Sequence, residues 1–184
     1  MVIMTTPALG RPATRADLDA MPDDGRRYEL VEGEIVVSAA PAPRHQYISV
    51  SLVVLLKTHC PRDLHLYHAP FDVELEKDFS VLEPDLVVVD PALLDHRGLV
   101  GAPLLAIEIL SPTTRRRDLR QKKAIYERTG VPSYWVVDPD GDVSLTVWEL
   151  REGRYQAVAA ISGDEEWTAS APFEVTVIPS RLVP

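Results

Sequence analysis

Residues 103–138 read PLLAIEILSPTTRRRDLRQKKAIYERTGVPSYWVVD and predict a strand, a helix and a second strand. Pro103–Leu110 is apolar apart from a single carboxylate, which is typical of a strand buried on both faces. We predict a helix over Arg115–Thr129, and Gly130 stands where a glycine commonly ends a helix. Ser133–Asp138 is rich in β-branched and aromatic residues and predicts the next strand. This unit indicates an α/β or α+β fold.

The sequence on either side supplies more strands and one long helix. Tyr28–Ser38 predicts a hairpin turned by Glu32-Gly33, and the apolar spacing in His45–His59 predicts a helix. The further predicted strands are Leu64–Glu74, Asp85–Asp90, Val143–Leu150, Tyr155–Ala159 and Phe173–Ile178. We therefore expect a mixed β-sheet flanked by helices, with extra β-hairpins.

The length and composition fit one globular domain. The chain has 184 residues, of which 46% are hydrophobic and 26% charged. Residues 1–25 are rich in Pro, Thr, Ala and Asp and predict an N-terminal arm, with a short helix from Thr14 as its N-cap. Residues 26–184 are predicted to form the single domain.

The cellular compartment is predicted from the cysteine content and from the length of the apolar segments. The chain has one cysteine, Cys60, which cannot form an internal disulfide, so a reducing cytoplasm is the expected compartment. No apolar run approaches the roughly 20 residues that a membrane span needs. We therefore expect a cytoplasmic protein that does not enter a membrane.

The charge distribution is uneven. A net charge of −9 argues against a nucleic-acid partner, because phosphates favour positive surfaces. However, residues 115–123 (RRRDLRQKK) carry six basic residues and one acid. Cations in the first turn of a helix oppose its dipole. Phosphate contacts would explain these arginines, and a solvated helix face is the alternative.

Two carboxylates indicate a metal centre. Glu108 lies inside an apolar strand, where a lone carboxylate is costly unless it is paired or binds a metal. Asp85 follows Pro84 at the start of another buried strand, so pairing of the two strands would bring both acids together. Adjacent carboxylates repel unless a cation lies between them, and Mg²⁺ suits such ligands. The alternative for Glu108 is a buried ion pair with an arginine.

The predicted helix after Glu108 contributes a basic group. Asp118, Lys122 and Tyr126 are spaced four residues apart and share one helix face. Lys122 can therefore either serve the carboxylate centre or form a surface ion pair with Asp118.

Four stretches of the chain resemble one family. They are YELVEGEIVV (28–37), the pair His45-Gln46, EPDLVVV (83–89) and AIEILSPTTRRRDLRQKKAIYERTGVPSYWVVDP (106–139). They resemble the bacterial Uma-type family of restriction-endonuclease-like proteins within the PD-(D/E)xK nuclease superfamily. The resemblance extends over about Arg27–Asp138 and implies a restriction-endonuclease-like fold.

The resemblance also implies roles for individual residues. Asp85 and Glu108 would be metal ligands, and the carbonyl of Ile109 would complete the protein's share of the metal's coordination. The superfamily's lysine would stand at position 110, where this chain has Leu110. A lysine one helix later substitutes for it in the family, and Lys122 matches that position.

Two further positions match the family near the site. Glu29 resembles the superfamily's N-terminal acid, which helps to position metal or water. His45 and Gln46 begin the first long helix at a matching place.

The resulting functional hypothesis is an Mg²⁺- or Mn²⁺-dependent endonuclease that hydrolyses DNA phosphodiester bonds. Its catalytic residues would be Asp85, Glu108, Lys122, Glu29 and His45, and its DNA contacts Arg115, Arg116, Arg117 and Arg120. A homodimer is expected, because cutting both strands of a duplex suits a two-fold assembly. The alternative is a catalytically weak or inactive nuclease fold that binds DNA or acts as a regulatory homo-oligomer.

Overall fold

The computed structural model describes residues 4, 5 and 11–184. The remaining residues of the predicted arm, 1–3 and 6–10, lie outside the described residues. The predicted short helix is present as α1 (Arg15–Asp19), and the Asp17 carboxylate accepts a hydrogen bond of 2.7 Å from the backbone of Thr14. The boundary between arm and domain stays a prediction.

The described residues form fourteen strands and three α-helices. The strands are β1 (Met4–Thr5), β2 (Arg27–Val31), β3 (Glu34–Ser38), β4 (His65–His68), β5 (Asp72–Glu76), β6 (Ser80–Leu82), β7 (Leu86–Val89), β8 (Gly98–Val100), β9 (Leu105–Ile109), β10 (Ser133–Asp138), β11 (Ser144–Arg151), β12 (Arg154–Ser162), β13 (Trp167–Ala169) and β14 (Val175–Val177). The longer helices are α2 (Pro43–His59) and α3 (Lys123–Arg128), and a π-helical segment, Arg117–Lys122, leads directly into α3.

The strands form two six-stranded sheets and one hairpin. Sheet 1 has the order β1-β3-β2-β6-β5-β8, and sheet 2 has the order β12-β11-β10-β9-β7-β4. Both sheets are mixed, because β5 runs parallel to β8 and β9 runs parallel to β10, whereas the other neighbours are antiparallel. The expected mixed α+β architecture is confirmed, with two large sheets rather than one.

The strand–helix–strand unit that decides the fold is confirmed. β9 and β10 pair in parallel, with Ser133 opposite Leu105. The connecting helix ends near Gly130, which has a φ of 85°. Glycine tolerates this left-handed conformation at a helix end better than other residues do.

The central strands of sheet 2, β7, β9 and β10, are buried on both faces. On one face, Ile48, Leu52 and Leu56 of α2 pack against Leu86 and Val88 of β7 and their neighbours. On the other face, Val87 and Val89 pack into a second cluster with residues of sheet 1 and α3. Successive residues of a strand point to opposite faces, so two buried faces require the continuous apolar runs seen in the sequence.

One predicted strand was wrong. Leu64–Glu74 divides into β4, which belongs to sheet 2, and β5, which belongs to sheet 1. Pro70 lies between them and has no N–H to donate to a sheet, so the chain changes sheets there. The short strands β1, β6, β8 and β13 were not predicted. Among the described residues, no helix is both long and apolar enough to cross a membrane.

Two Glu-Gly turns, one in each large sheet, allow a matched test of the packing around the β2–β3 turn. Gly33 and Gly153 have φ values of 79° and 75°. A Cβ at Gly33 would lie 2.8 Å from the Cβ of Pro12, whereas one at Gly153 would meet nothing within 4 Å.

We predict that Gly153→Ala lowers the free energy of unfolding by about 1 kcal/mol through backbone strain alone. Gly33→Ala should lower it by about 2–3 kcal/mol, because the contact with Pro12 adds to that strain. Urea denaturation of both variants measures the difference. Equal losses would contradict close packing of Pro12 on this turn.

Candidate functional site

Asp85 and Glu108 lie side by side on neighbouring strands. β7 and β9 are antiparallel with Leu86 opposite Ile107, and one further step of this register places Asp85 opposite Glu108. Only 4% of Asp85 and 1% of Glu108 is exposed. The expected pairing of the two acids is therefore confirmed.

Three groups surround the Asp85 carboxylate. The backbone N–H of Ile109 donates to Oδ2 at 2.7 Å, and Arg27 Nη1 donates to Oδ1 at 3.0 Å. His45 Nε2 lies 3.2 Å from Oδ2. Burial alone would raise the pKa of Asp85, but the His45 hydrogen bond and the Arg27 charge outweigh it and lower the pKa to about 2.

Lys122 is enclosed by carboxylates. Its Nζ lies 2.8 Å from Glu29 Oε1, 2.9 Å from Glu108 Oε1 and 4.0 Å from Asp118 Oδ1, and its side chain is fully buried. Burial would lower the pKa of Lys122, but Glu108 and Glu29 raise it above its ordinary value. Lys122 is therefore a charged group within the carboxylate centre. The alternative of a surface pair with Asp118 does not hold, because that contact is present but both residues are buried.

The neighbours of Glu108 shift its pKa in opposite directions. Tyr126 donates a hydrogen bond of 3.0 Å to the same Oε1 that contacts Lys122. Burial and the nearby carboxylates Asp118 and Asp85 raise the pKa of Glu108 to about 8, although Lys122 opposes the shift. The sequence left open a buried ion pair between Glu108 and an arginine. The structure shows a buried ion pair with Lys122 instead.

Glu29 connects sheet 1 to this centre. Its Oε1 accepts a hydrogen bond of 2.8 Å from the backbone N–H of Glu83, besides its contact with Lys122. Burial opposes ionisation of Glu29, but Lys122 and Arg27 lower its pKa. The structure thus brings together Asp85, Glu108, Lys122, Glu29, His45 and Ile109.

The π-helical segment positions the basic group. Asp118 and Lys122 both lie within it and are both buried, and Tyr126 follows on α3. A π-helical turn is wider than an α-helical one and often occurs at functional sites. The predicted shared face is confirmed, but the π-helical geometry was not predicted.

The four arginines expected to contact DNA lie elsewhere. Arg115 donates two hydrogen bonds of 2.7 Å to Asp138 and one of 3.0 Å to Asp140. Arg116 and Arg120 are exposed, and Arg117 is half-buried. None of them lines the cleft described below.

A cleft opens onto the two acids. It has a volume of about 320 Å³, and its lining residues include Asp85, Glu108, Ile109, Arg27 and His45. A second cleft of about 430 Å³ shares Arg27, His45 and Asp85 with the first. These three side chains therefore stand where the two clefts meet.

Sequence reasoning missed Arg27 and Glu83. Arg27 Nε lies 3.6 Å from Glu83 Oε2. A strand's alternate residues share a face, so the position of Arg27 two residues before Glu29 could have indicated it. Glu83 directly precedes Pro84-Asp85, and its acidity could have indicated a larger acidic cluster.

The donor set suits a hard divalent cation. Within the described part of the chain, no three His, Cys, Asp or Glu side chains are grouped as metal ligands. However, the N–H and C=O of an extended residue point to the same side, so the Ile109 carbonyl faces the edge where its N–H meets Asp85. Two carboxylates and a carbonyl are ligands that Mg²⁺ accepts.

The charge balance also favours a cation. The buried cluster contains five carboxylates (Glu29, Glu83, Asp85, Glu108 and Asp118) and two cations (Arg27 and Lys122). Glu29 Oε2, Glu83 Oε2 and Asp118 Oδ1 are buried without a hydrogen-bond partner. The pKa values of Glu83 and Glu108 are raised to about 8 in the absence of such an ion, and a divalent cation would favour their ionised forms and offset their charge.

The mixed sheets, the flanking helices and the overall similarity to a solved structure define a nuclease-like α+β fold. The chain belongs to the Uma2 family, whose model carries the description "Putative restriction endonuclease" and matches residues 15–179. Families of this kind generally use divalent metal ions.

The similar solved structure is described as that of a "putative nuclease belonging to DUF820" from Anabaena variabilis. It has a TM-score of 0.64 and 18% sequence identity, and the match covers 88% of this chain and 90% of that one. At this identity the similarity shows the fold alone. A search of curated proteins found no match.

We predict that Lys122→Met lowers the free energy of unfolding by about 3–5 kcal/mol, because it leaves buried carboxylates without their cation. Lys123→Met is the matched control. Lys123 lies 4.3 Å from the ring centre of Trp148 instead, so its loss should cost about 1 kcal/mol or less. Denaturation in urea compares the two, and similar losses would contradict the role of Lys122.

The acidic cluster also predicts how stability depends on pH in the metal-free protein. Burial and the charge of Glu29 raise the pKa of Glu83 to about 8. A carboxyl with a raised folded-state pKa binds its proton more tightly when folded. Its stabilising contribution is complete below the unfolded pKa of about 4.5 and is lost as the pH rises through 8.

We therefore expect the protein in EDTA to be less stable at pH 8.5 than at pH 6, and Glu83→Gln to reduce this difference. Thermal denaturation at the two pH values measures it. Glu149→Gln, which removes a carboxylate paired with the exposed Arg151, should leave the difference unchanged. An unaltered difference in Glu83→Gln would contradict the assignment.

Proposed function

We propose that the protein is a divalent-metal-dependent endonuclease that hydrolyses DNA phosphodiester bonds at Asp85 and Glu108. The observation that carries the proposal is the position of these two carboxylates, adjacent at the floor of a cleft and backed by Lys122. Membership of the Uma2 family supports a nuclease, and the side chains support the choice of site.

Asp85, Glu108 and the carbonyl of Ile109 are the proposed ligands of Mg²⁺ or Mn²⁺. When bound, such an ion supplies a water of lowered pKa and offsets negative charge on the phosphate. The chain's own contribution is to hold the ligands apart from bulk water and in fixed positions. The hydrogen bond of 2.7 Å from the backbone N–H of Ile109 holds the Asp85 carboxylate in position.

Lys122 acts on the carboxylates. Its ammonium is fully buried and does not line the cleft, so we assign it the role of orienting Glu108 and of opposing the rise in the pKa of that carboxyl. Leu110 lies on the same face of β9 as Glu108, because alternate residues of a strand share a face, and it packs in the core. The long stem of Lys122 reaches Glu108 from the helix instead.

His45 and Glu29 have positioning roles in this proposal. His45 lies at the start of α2 and orients Asp85 from the cleft side, with its Nε2 at 3.2 Å from Oδ2. Glu29 holds Lys122 from sheet 1. Neither role requires contact with the phosphate.

The substrate and assembly complete the proposal. DNA is the proposed substrate, with exposed Arg116 and Arg120 available for backbone contacts, which position a duplex without specifying its sequence. A homodimer would place two such centres on the two strands, and equilibrium sedimentation tests it. The cytoplasmic location stays a prediction from the single cysteine.

A second function has specific support. Arg27, His45 and Ile109 already contact the Asp85 carboxylate, and Leu110 replaces the lysine expected at its position. These features favour a nuclease fold that binds DNA or acts as a regulatory homo-oligomer without efficient cleavage. Salt-dependent DNA binding with no cleavage under Mg²⁺ or Mn²⁺ would support this alternative.

The test is cleavage of supercoiled plasmid in Mg²⁺ or Mn²⁺. We predict that Asp85→Asn and Glu108→Gln each reduce the cleavage rate by about 100-fold or more, because each removes a charged ligand. Glu149→Gln, which alters a carboxylate outside the cleft, should retain the wild-type rate. Cleavage at the wild-type rate by both Asp85→Asn and Glu108→Gln would exclude this centre as the active site.

A further inference from the structure

Arg27 blocks the place where a metal ion would bind Asp85. Its Nη1 lies 3.0 Å from Asp85 Oδ1, and its side chain is 23% exposed. In the described structure, only Arg27 and His45 among the residues that line the first cleft are basic. Lys122 cannot supply a charge to the cleft, because Glu29 and Glu108 enclose its ammonium.

We propose that Arg27 has two positions: it is the counter-ion of Asp85 when no metal is bound, and it contacts a phosphate oxygen of the nucleic acid when metal displaces it. The inference rests on the proposed function and adds a residue that the family resemblance did not supply.

Competition follows from charge and space. A divalent cation at Asp85 would compete with Arg27 for Oδ1, because Oδ2 already accepts a hydrogen bond from Ile109 and lies 3.2 Å from His45. The guanidinium and the metal ion would also repel each other. Arg27 remains charged at any accessible pH, so it cannot leave by losing a proton. We therefore expect metal binding to move the side chain.

The surroundings provide a second position for the guanidinium. Its Nε is buried without a hydrogen-bond partner, and Glu83 Oε2, which also lacks one, lies 3.6 Å away. Glu83 can thus retain the Nε end while the Nη groups turn away from Asp85. Arg27 also lines both clefts, so the released Nη groups would face the space where a phosphate reaches the metal.

Arginine suits this task chemically. Its planar guanidinium binds two phosphate oxygens in parallel, which an ammonium cannot do. A purely structural salt bridge between Arg27 and Asp85 would have a different consequence. It would stabilise the metal-bound and metal-free protein alike, and its removal would weaken metal binding by disordering Asp85.

The first experiment measures Mn²⁺ binding to Arg27→Gln by electron paramagnetic resonance. We expect Mn²⁺ to bind about tenfold more tightly than to the wild type, because a charge-assisted competitor is removed. Plasmid cleavage at saturating Mn²⁺ should fall by about 100-fold, because a phosphate contact is lost. Unchanged or weaker Mn²⁺ binding would overturn the proposal.

Arg26→Gln and Arg27→Lys are the controls. Arg26 is adjacent and exposed, and it pairs with Asp24 rather than Asp85, so its variant should bind Mn²⁺ as the wild type does. Arg27→Lys retains the charge and should bind Mn²⁺ within about threefold of the wild type, but it should cleave slowly because the planar fork is lost. A tenfold gain in Arg26→Gln would show a nonspecific charge effect and overturn the proposal.

A second measurement uses the wild-type protein and does not depend on the folding of a variant. Phenylglyoxal modifies accessible arginines, and peptide mass spectrometry locates the product. Saturating Mn²⁺ should increase modification of Arg27 severalfold and leave Arg26 unchanged. Equal modification of Arg27 with and without Mn²⁺ would contradict its displacement.

The outcomes separate this inference from the proposed function. If Arg27→Gln gains Mn²⁺ affinity but neither the wild type nor this variant cleaves nucleic acid, the counter-ion role of Arg27 stands. The proposed nuclease activity and the phosphate contact then fail. If the wild type cleaves but Arg27→Gln shows no gain in affinity, the nuclease stands and the counter-ion role fails. If neither the wild type nor any variant binds Mn²⁺, the counter-ion role and the proposed metal-dependent function both fail.

Discussion

The buried ammonium of Lys122 is the contact on which the rest of the centre depends. It lies 2.8 Å from Glu29 on β2 and 2.9 Å from Glu108 on β9, so one cation joins the two large sheets through a carboxylate from each. Removing these charges from water costs several kcal/mol per ion, and only close and multiple contacts offset that cost. The carboxylate centre can therefore form only where both sheets and the π-helical segment meet.

The central acids could be predicted because their strands are buried on both faces. An apolar run interrupted by Glu108 and another opened by Asp85 indicate neighbouring interior strands, and the spacing of Asp118 and Lys122 indicates one helix face. The division into two sheets could not be predicted, because local periodicity does not record which strands pair. Leu64–Glu74 shows this: both of its parts have strand character, yet they belong to different sheets.

The charged residues show the same limit at the level of side chains. Three arginines in a row predict a phosphate-binding surface, but Asp138 at the end of β10 takes both Nη groups of Arg115. Arg27 has only Arg26 beside it in the sequence and was not predicted, yet it lies against Asp85. A sequence shows where charges are dense, whereas only the packing of strands shows which charges already have partners.

The acidic character of the chain is compatible with a phosphate substrate once the location of the acids is considered. In the buried cluster, five carboxyl groups face two cations, and above pH 8, where Glu83 and Glu108 are ionised, this leaves an excess of negative charge that repels a phosphate. The same excess attracts a divalent cation, and one such ion cancels most of it. Under the proposed function, metal binding therefore reverses the local preference of the cleft for anions. The net charge of −9 then argues against binding of nucleic acid by the metal-free protein, but not against cleavage by the metal-bound one.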